Sequence, residues 1–283
     1  YVGGAEHAVM HLLYARFWTK VLYDLDVLSF KEPFTRLRNQ GLILAPDGRK
    51  MSKSLGNVIT PDDMVAEHGA DALRGYECFI SDFELSVPWN PQGVSGVRRW
   101  LDRVWRIVLT PQENPGQPTE MTERDLQRAM HQAIQKVEQD ILDFKFNTMV
   151  AALMEYTNSL HRARDAGLAQ SDDWNEAIRV LLLLMAPVAP HISEELWIRL
   201  GYAYSIHQQS WPIADAELAA EETIEVVLQV NGKVRDKVMV ATDRDEAILR
   251  ELALNSERVQ EFVGQKTIRK VLVVPGKLVN VVV

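Results

Sequence analysis

Between residues 94 and 200, apolar side chains repeat every three or four positions, and no other feature of the sequence constrains the fold as strongly. The clearest series is Leu126, Met130, Ile134, Val137, Ile141 and Phe144. This spacing places the apolar side chains on one face of a helix, which becomes stable when it packs against other helices. We therefore predict an antiparallel helical bundle. Its predicted helices cover residues 94–109, 126–144, 149–160 and 172–200.

Proline residues interrupt the last of these helices. Pro187 and Pro190 lie within the stretch MAPVAPHISEELW, residues 185–197. A proline inside a helix removes a backbone hydrogen bond and clashes with the preceding turn. We expect a break there, and we expect His191 and Trp197 to pack the bundle rather than to contact a substrate.

The segment before the bundle mixes helix and strand. Residues 5–22 predict a helix, because Val9, Leu12, Leu13, Phe17 and Val21 recur at helical spacing. Residues 40–45 predict a short strand and Asp47-Gly48 a turn. Thr60-Pro61 predicts a helix start, since proline is favoured at the first helical position. The residues between that turn and that helix are therefore predicted to form a loop.

The last 60 residues change to a period of two. Apolar residues alternate with polar ones from Ile224 to Val230, and Asn231-Gly232 is a strong hairpin signal. A helix follows near 243–254, with Asp243 and Glu246 spaced for a capping box. Two further strands, about 267–274 and 278–282, meet at Pro275-Gly276. This part predicts a small β-β-α-β-β module, and the whole chain a multi-domain α+β fold.

Charge and cysteine content exclude several classes of protein. The net charge is -8, but residues 223–283 carry ten Lys or Arg against eight Asp or Glu. An acidic body with a mildly basic end does not indicate a general nucleic-acid coat, although local basic faces remain possible. Cys78 is the only cysteine, which excludes an internal disulfide and fits a reducing compartment. No apolar run approaches the roughly 20 residues of a membrane helix, so we expect a cytoplasmic protein without a membrane partner.

The loop sequence GRKMSKSLGN, residues 48–57, has the pattern of a phosphate-binding site. Lys50 and Lys53 can converge on one polyanion, while serine hydroxyls and backbone N–H groups add donors. Gly56 and Asn57 fit a hinge with a polar latch. Ser52 and Ser54 either bind phosphate or hold the loop's own backbone. An exposed basic loop without a ligand is the alternative interpretation. We call residues 48–57 the KMSKS loop.

Two further patterns lie at the start of the first helix. The Gly3-Gly4 pair can let a nucleotide approach the backbone, and Glu6 can either accept hydrogen bonds from a ribose or cap the helix. His7 and His11 are one helical turn apart, which is also a metal-ligand spacing. No third ligand is apparent, so we predict no metal site in this chain.

Several segments resemble a known family. KMSKS followed by Leu-Gly-Asn resembles the signature loop of class I aminoacyl-tRNA synthetases. Other segments, in order and nearly end to end, resemble the leucyl-tRNA synthetases of bacterial type. These segments are GGAEHAVMHLLYARF (3–17), GADALR (69–74), MAPVAPHISEELW (185–197), VNGKVR (230–235) and VPGKL (274–278).

This resemblance implies a domain division and an activity. Residues 1–90 would be the C-terminal part of a Rossmann-type catalytic domain, 91–215 a tRNA-contacting helical bundle of the anticodon-binding type, and 223–283 a small tRNA-binding domain. The implied activity is ATP-dependent activation of leucine to leucyl-adenylate and its transfer to tRNA(Leu). ATP with Mg²⁺ would be a substrate, and the partners would be leucine and tRNA(Leu).

The resemblance also implies roles for individual residues. Lys50 and Lys53 would be catalytic, and His7 and His11 would shape the leucine pocket. ATP would bind to Gly3, Gly4, Glu6, Met51, Ser52, Lys53 and Ser54. Two regions would contact tRNA, namely a stripe of arginines on the first bundle helix and the basic end of the chain. Without the resemblance, the stripe would be read as a solvated helix face. The implied tRNA-binding residues are Arg99, Arg103, Arg106, Lys233, Arg235, Lys237, Arg269, Lys270 and Lys277.

Two features of the family are missing from the sequence. These are the His-x-Gly-His type signature that binds ATP and the inserted editing domain. We therefore expect the chain to represent only the C-terminal portion, to need an N-terminal half as partner, and to be inactive alone. A non-catalytic tRNA-binding module and a subunit of a split synthetase are the alternatives. The same enzyme class with another aliphatic amino acid is a third, against which Ala5-Glu6-His7-Ala8 argues.

Overall fold

The computed structural model of the chain describes residues 1–110, 121–221, 223–241, 245–274 and 276–283. The chain divides into two compact units, residues 1–219 and 220–283. The predicted division of the first unit at residue 90 stays a prediction. None of the helices in the described ranges combines the length and the hydropathy that a membrane span needs.

The chain begins with one continuous helical segment. A 3₁₀ turn, Ala5–His7, and a π-helical turn, Ala8–Leu12, lead into helix α1, Leu13–Asp24. The predicted helix over 5–22 is therefore confirmed in position. Its apolar stripe is largely uncovered in the unit, because Val9 is 76% exposed and Phe17 58% exposed.

The strands of this unit are short. The strand predicted over 40–45 is shorter in the structure, where β1 covers only Ile43–Leu44. It pairs in parallel with β2, Val87–Pro88. Val2 and Arg38 form a separate, isolated parallel bridge. These short pairings place the start of the chain and the strand that precedes the KMSKS loop in the same unit.

Two helices follow the KMSKS loop. Helix α2, Pro61–His68, begins at the predicted proline with Thr60 before it. Helix α3, Ala70–Phe79, starts immediately afterwards, and Gly69 between them has a φ of 88°. This left-handed backbone favours glycine, and it allows the chain to change direction without a longer linker.

Five long helices share the main core. They are α4, Gly93–Leu109; α5, Glu123–Leu142; α6, Phe146–Asp165; α7, Asp172–Met185; and α8, Pro190–Arg199. A short helix, α9, Ala216–Ala219, follows. The predicted break is confirmed between α7 and α8. The fully buried residues include Leu126, Ile134, Leu153, Leu160, Leu181, Leu184 and Leu196.

Of the two residues predicted to pack this bundle, Trp197 lies in the core and His191 does not. Trp197 is buried, donates its indole N–H to the Ala203 carbonyl at 2.8 Å and stacks on Tyr202. The prediction for His191 is wrong, because its side chain is 73% exposed. Its ring lies outside the core, 2.7 Å from an Asp71 carboxylate oxygen.

The second unit is a four-stranded sheet with two helices. Its strands are β3, Thr223–Val230; β4, Lys233–Ala241; β5, Lys270–Val274; and β6, Leu278–Val282. Their order is β4-β3-β6-β5, with β3 and β6 parallel and the other pairs antiparallel. The predicted hairpin turn is confirmed, since Asn231 and Gly232 both have positive φ angles, 48° and 76°.

The helical part of this unit differs from the prediction. Helix α10, Glu246–Asn255, is capped by Asp245, whose carboxylate accepts the Ile248 N–H at 2.9 Å. A second helix, α11, Glu257–Val263, follows after one residue and was missed. Ser256 ends the first helix and caps the second. The predicted cap Asp243 and the predicted turn residue Pro275 lie outside the described residues.

Two glycines allow α3 to pack closely on α4, because an added Cβ at Gly93 of α4 would lie 2.1 Å from the Tyr76 ring of α3 and Gly75 makes a similar approach from α3. A Cβ added at Gly75 would lie 2.8 Å from Cγ1 of Val97, which is itself buried. Real carbon atoms do not approach that closely without displacement, and the branched Val97 side chain in the core has little room to move. The contact therefore fixes the spacing between α3 and α4.

We predict that Gly75→Ala destabilises the chain although alanine is the better helix former. Overpacking costs about 1–3 kcal/mol, whereas the gain in helix propensity is at most about 1 kcal/mol. Gly96→Ala in α4 is the matched control, since the nearest atom to its added Cβ is Arg99 Nη2 at 3.8 Å. Urea denaturation should show a lower free energy of unfolding for Gly75→Ala and an equal or higher one for Gly96→Ala. Equal effects would contradict the packing argument.

Candidate functional site

A tight turn introduces the KMSKS loop. The Ala45 N–H donates to the Arg49 carbonyl at 2.8 Å, and the Gly48 N–H donates to the Ala45 carbonyl at 2.8 Å. The Arg49 guanidinium donates to the Asp47 carboxylate, with Nε 2.7 Å from Oδ2. This hydrogen bond lowers the pKa of Asp47 below its ordinary value. The turn therefore fixes the backbone one residue before Lys50.

Asn57 closes the loop on itself. Its side-chain oxygen accepts the Ser52 N–H at 2.8 Å, and its side-chain NH₂ donates to the Lys50 carbonyl at 3.3 Å. Between them Lys53–Leu55 forms a single 3₁₀ turn that ends at Gly56, where φ is 65°. Asn57 therefore bonds across the loop, and the roles of Asn57 as a latch and of Gly56 as a hinge stay predictions.

The two serines of the loop bond to each other. Ser52 Oγ and Ser54 Oγ are 2.7 Å apart. Each hydroxyl has spare capacity, because a hydroxyl has one donor and two acceptor positions. The contact stabilises the loop and leaves the phosphate role of Ser52 and Ser54 a prediction.

The two lysines of the loop point toward solvent. Lys50 and Lys53 are both exposed. In the part of the chain that the structure describes, neither ammonium group has an acidic partner within ion-pair distance. Their positive charges are therefore available to an anion, as the phosphate hypothesis requires.

Met51 is the loop residue that faces inward. Its side chain is partly buried against the main core and lines a cavity of about 110 Å³. Ile43, Ile59, Met64 and Leu73 line the same cavity. Met51 therefore anchors the loop on α2 and α3, and its predicted contact with ATP stays a prediction.

The glycine pair near the start of the chain leaves room for side chains. Gly4 is buried, and an added Cβ would lie 2.2 Å from Glu6 Oε2. At Gly3 an added Cβ would lie 2.7 Å from the Tyr1 ring. The Glu6 carboxylate thus folds back over the backbone of Gly4. Gly4 has a φ of -66°, which any residue can adopt, and the atoms nearest an added Cβ belong to the flexible end of the exposed Glu6 side chain.

His7 and His11 lie side by side on the exposed surface. Their ring centroids are 6.0 Å apart, and the Tyr1 ring lies 5.4 Å from His11. Among the described residues no group of three His, Cys, Asp or Glu side chains is arranged to hold a metal ion. The pair can form one wall of an apolar pocket, which is the role predicted for it.

The arginine stripe on α4 is only partly free. Arg99 and Arg106 are exposed, whereas Arg103 is partly buried and donates to Asn158 Oδ1 at 2.7 Å. Burial, together with the charges of Arg103 and Arg164, lowers the pKa of His161 to about 4. His161 is therefore neutral at physiological pH and adds no positive charge to this surface.

The predicted cations of the second unit also differ in their surroundings. Lys233, Arg269, Lys270 and Lys277 are exposed. Arg235 lies over the Phe262 ring at 3.6 Å, and Lys237 pairs with Glu225 at 2.8 Å. The sequence predicted tRNA binding for all six residues. In the structure Arg235 and Lys237 instead contact other side chains of the same unit.

Sequence reasoning gave no role to two residues that connect α3 to the bundle. Asp71 and Arg74 form hydrogen bonds to the break between α7 and α8. The signal was present in the sequence, because an acid and a base three positions apart share one face of a helix. Their partners were not visible, since they lie more than 100 positions away.

Two family models match the chain. Residues 13–87 match tRNA synthetases class I (I, L, M and V), and residues 123–250 match the anticodon-binding domain of tRNA ligase. The first match contains the KMSKS loop, and the second covers α5 to α8 and the start of the second unit.

Curated relatives match the chain over its whole length. It is 49% identical to a leucine–tRNA ligase of Dehalococcoides mccartyi strain CBDB1, of which it covers 35%. It is 48% identical to a leucine–tRNA ligase of Herpetosiphon aurantiacus, of which it covers 34%. The chain therefore spans about a third of the length of these relatives.

Solved structures agree with these matches. One is the agnB2 LeuRS of Agrobacterium radiobacter K84 in a ternary complex with tRNA and LeuAMS, which is 35% identical to this chain. The two structures superpose with a TM-score of 0.84, and the match covers all of this chain and 38% of the LeuRS chain. Another is methionyl-tRNA synthetase of Mycobacterium tuberculosis in complex with methionyl-adenylate, which is 15% identical with a TM-score of 0.51. This match covers 72% of this chain and 44% of the other chain, and it supports the fold alone. The chain is thus similar over its whole length to leucine–tRNA ligases and corresponds to about a third of their length, and its first part matches class I tRNA synthetases.

Proposed function

We propose that this chain provides the ATP-contacting KMSKS loop and the tRNA-contacting surfaces of a leucine–tRNA ligase. The reaction is the activation of leucine by ATP to leucyl-adenylate, followed by transfer to tRNA(Leu). The observation that carries the proposal is the closed loop of residues 50–57, which exposes two lysines that have no acidic partner among the residues the structure describes. The similarity of the chain to leucine–tRNA ligases supports ATP as the substrate of that loop.

Lys50 and Lys53 stabilise the transition state of activation. When the leucine carboxylate attacks the α-phosphorus of ATP, negative charge grows on the phosphoryl oxygens and on the departing pyrophosphate. Cations that approach during this step stabilise the transition state more than the ground state. Mg²⁺ enters as part of the ATP substrate, held by phosphate oxygens and water.

The start of the chain binds the other parts of the adenylate. Glu6 lies at the N-terminal end of the first helical turn and is exposed, so its carboxylate can accept hydrogen bonds from ribose hydroxyls. His7 and His11 contact the leucine side chain. Their adjacent rings support this assignment, because flat ring faces suit an aliphatic group.

Basic residues of both units contact the tRNA backbone. Arg99 and Arg106 on α4, and Lys233, Arg269, Lys270 and Lys277 in the second unit, are exposed. Such contacts position an RNA by its phosphates and its shape. The match to an anticodon-binding domain supports this role for the bundle.

The active site needs residues outside this chain. Along the first helical segment Val9, Met10, Leu13, Tyr14, Phe17 and Trp18 are all exposed. Apolar patches of this size on one helix usually mark a surface that another part of the protein covers. The ATP signature absent from the sequence belongs to that missing part.

Lys53→Ala in the complete enzyme should lower the rate constant of leucine activation by a factor of about 10² or more, the scale of one transition-state contact. Leucine binding should change little, because the ammonium group acts on phosphate. Leucine-dependent pyrophosphate exchange measures both quantities. Lys53→Arg should retain part of the rate, and Lys31→Ala, remote from the loop in sequence, is the control. An unchanged rate in Lys53→Ala removes this residue from the mechanism.

The isolated chain should show no leucine-dependent pyrophosphate exchange, since the rest of the ATP site is absent. The assay needs protein whose folding has been verified by circular dichroism. Exchange by the chain alone would refute the proposal of an incomplete site. Recovery of exchange on mixing with the N-terminal part would identify a split synthetase, and tRNA binding without recovery would identify a binding module.

Deletion of residues 223–283 from the complete enzyme should weaken tRNA(Leu) charging and spare leucine activation. The reason is that these residues form a separate compact unit with its own core. Aminoacylation and pyrophosphate exchange, measured on the same preparation, separate the two steps. Equal loss of both activities in a protein with an unchanged melting temperature would contradict a tRNA-specific role.

A further inference from the structure

The break between α7 and α8 leaves backbone groups without helical partners. Ala189 precedes α8 and has no side chain that can cap it, and Pro190 has no N–H to donate. The first free donors of α8 are the N–H groups of His191 and Ile192. Unpaired donors at a buried helix end are costly, so they require an acceptor from elsewhere.

Asp71 of α3 supplies that acceptor. Its Oδ2 accepts the Ile192 N–H at 2.7 Å, and its Oδ1 lies 3.4 Å from the His191 N and 2.7 Å from Nδ1 of the same residue. Asp71 is only 8% exposed. A carboxylate at this position also complements the positive end of the helix dipole. Asp71 therefore caps a helix that begins 119 positions later in the chain.

Arg74 binds the other side of the same break. Its Nη2 donates to the Pro187 carbonyl at 2.9 Å, and its Nε donates to the Val188 carbonyl at 3.2 Å. These carbonyls follow the C-terminal end of α7, where the helix dipole favours a cation. Asp71 and Arg74 are three positions apart on one face of α3. We call this pair the clamp.

The clamp acts on the helix that supports the KMSKS loop. Leu73 of α3 lies between the two clamp residues and lines the cavity under Met51. Met64 of α2 lines it as well. The inward-facing side chain of the loop thus rests on residues of α2 and α3. A shift of α3 relative to the α7–α8 break would move this support.

We propose that Asp71 and Arg74 are positioning residues for leucine activation. They fix α3 on the bundle so that Lys50 and Lys53 reach the ATP phosphates in one defined place. This inference rests on the proposed function of the KMSKS loop. Neither clamp residue contacts substrate, and both act through α3 and Met51.

The test uses the complete synthetase with Asp71→Asn, Arg74→Ala and Arg74→Lys. Asp71→Asn should lower kcat for pyrophosphate exchange about tenfold to a hundredfold, the scale of a misplaced catalytic group. The KM for leucine should stay within about twofold, because ground-state binding does not use the loop. Arg74→Lys should retain more activity than Arg74→Ala, since an ammonium group can still reach one carbonyl.

The matched control is Asp140→Asn. Asp140 is also buried, at 2% exposure, and its carboxylate accepts from Lys136 Nζ at 2.7 Å and from Thr148 Oγ1 at 2.8 Å. It bonds within the bundle and makes none of the hydrogen bonds of the clamp. Asp140→Asn should lower the melting temperature as much as Asp71→Asn does, while kcat per active site stays at the wild-type value.

Hydrogen exchange provides a second readout. Amide exchange over residues 50–57 should accelerate in Asp71→Asn and stay unchanged in Asp140→Asn. The proposal is overturned if kcat per active site is unchanged in Asp71→Asn, or if both variants lose kcat equally. Failure of the proposed function looks different. In that case Lys53→Ala would leave pyrophosphate exchange unaltered, whereas exchange over residues 50–57 would still report on the clamp.

Discussion

The first unit depends on how the free backbone groups between α7 and α8 are satisfied. Two prolines end one helix and begin the next, so the carbonyls of Pro187 and Val188 and the N–H groups of His191 and Ile192 need partners from elsewhere. One face of α3 provides them all. The hydrogen bonds that satisfy this break therefore also connect α3, in the segment that carries the KMSKS loop, to the bundle.

The KMSKS loop combines a fixed backbone with free charges. Asn57 closes it, Met51 anchors it and the turn at Asp47 introduces it, whereas Lys50 and Lys53 have no acidic partner among the described residues. A loop that leaves its lysines unpaired forgoes ion-pair stabilisation within the chain. That arrangement fits cations that interact with a ligand whose charge changes during a reaction.

Much of the secondary structure could be predicted from the sequence. The helices of the bundle have long, regular apolar patterns, and the hairpin at Asn231-Gly232 has turn residues that tolerate positive φ. Helix α11 was missed because it spans only seven residues and is separated from α10 by the single residue Ser256. Short helices carry too few apolar repeats for periodicity to separate them from a neighbour.

The candidate site was predictable in its parts. The sequence by itself determined the long helices of the bundle, the break at Pro187 and Pro190, and the KMSKS loop with its two lysines, because spacing and backbone chemistry act over a few residues. Only the tertiary structure decided that His191 lies outside the core, that Lys237 is paired, and that Asp71 and Arg74 satisfy the break. Those outcomes depend on side chains separated by up to 121 positions, and a local pattern contains no information about which distant groups will meet.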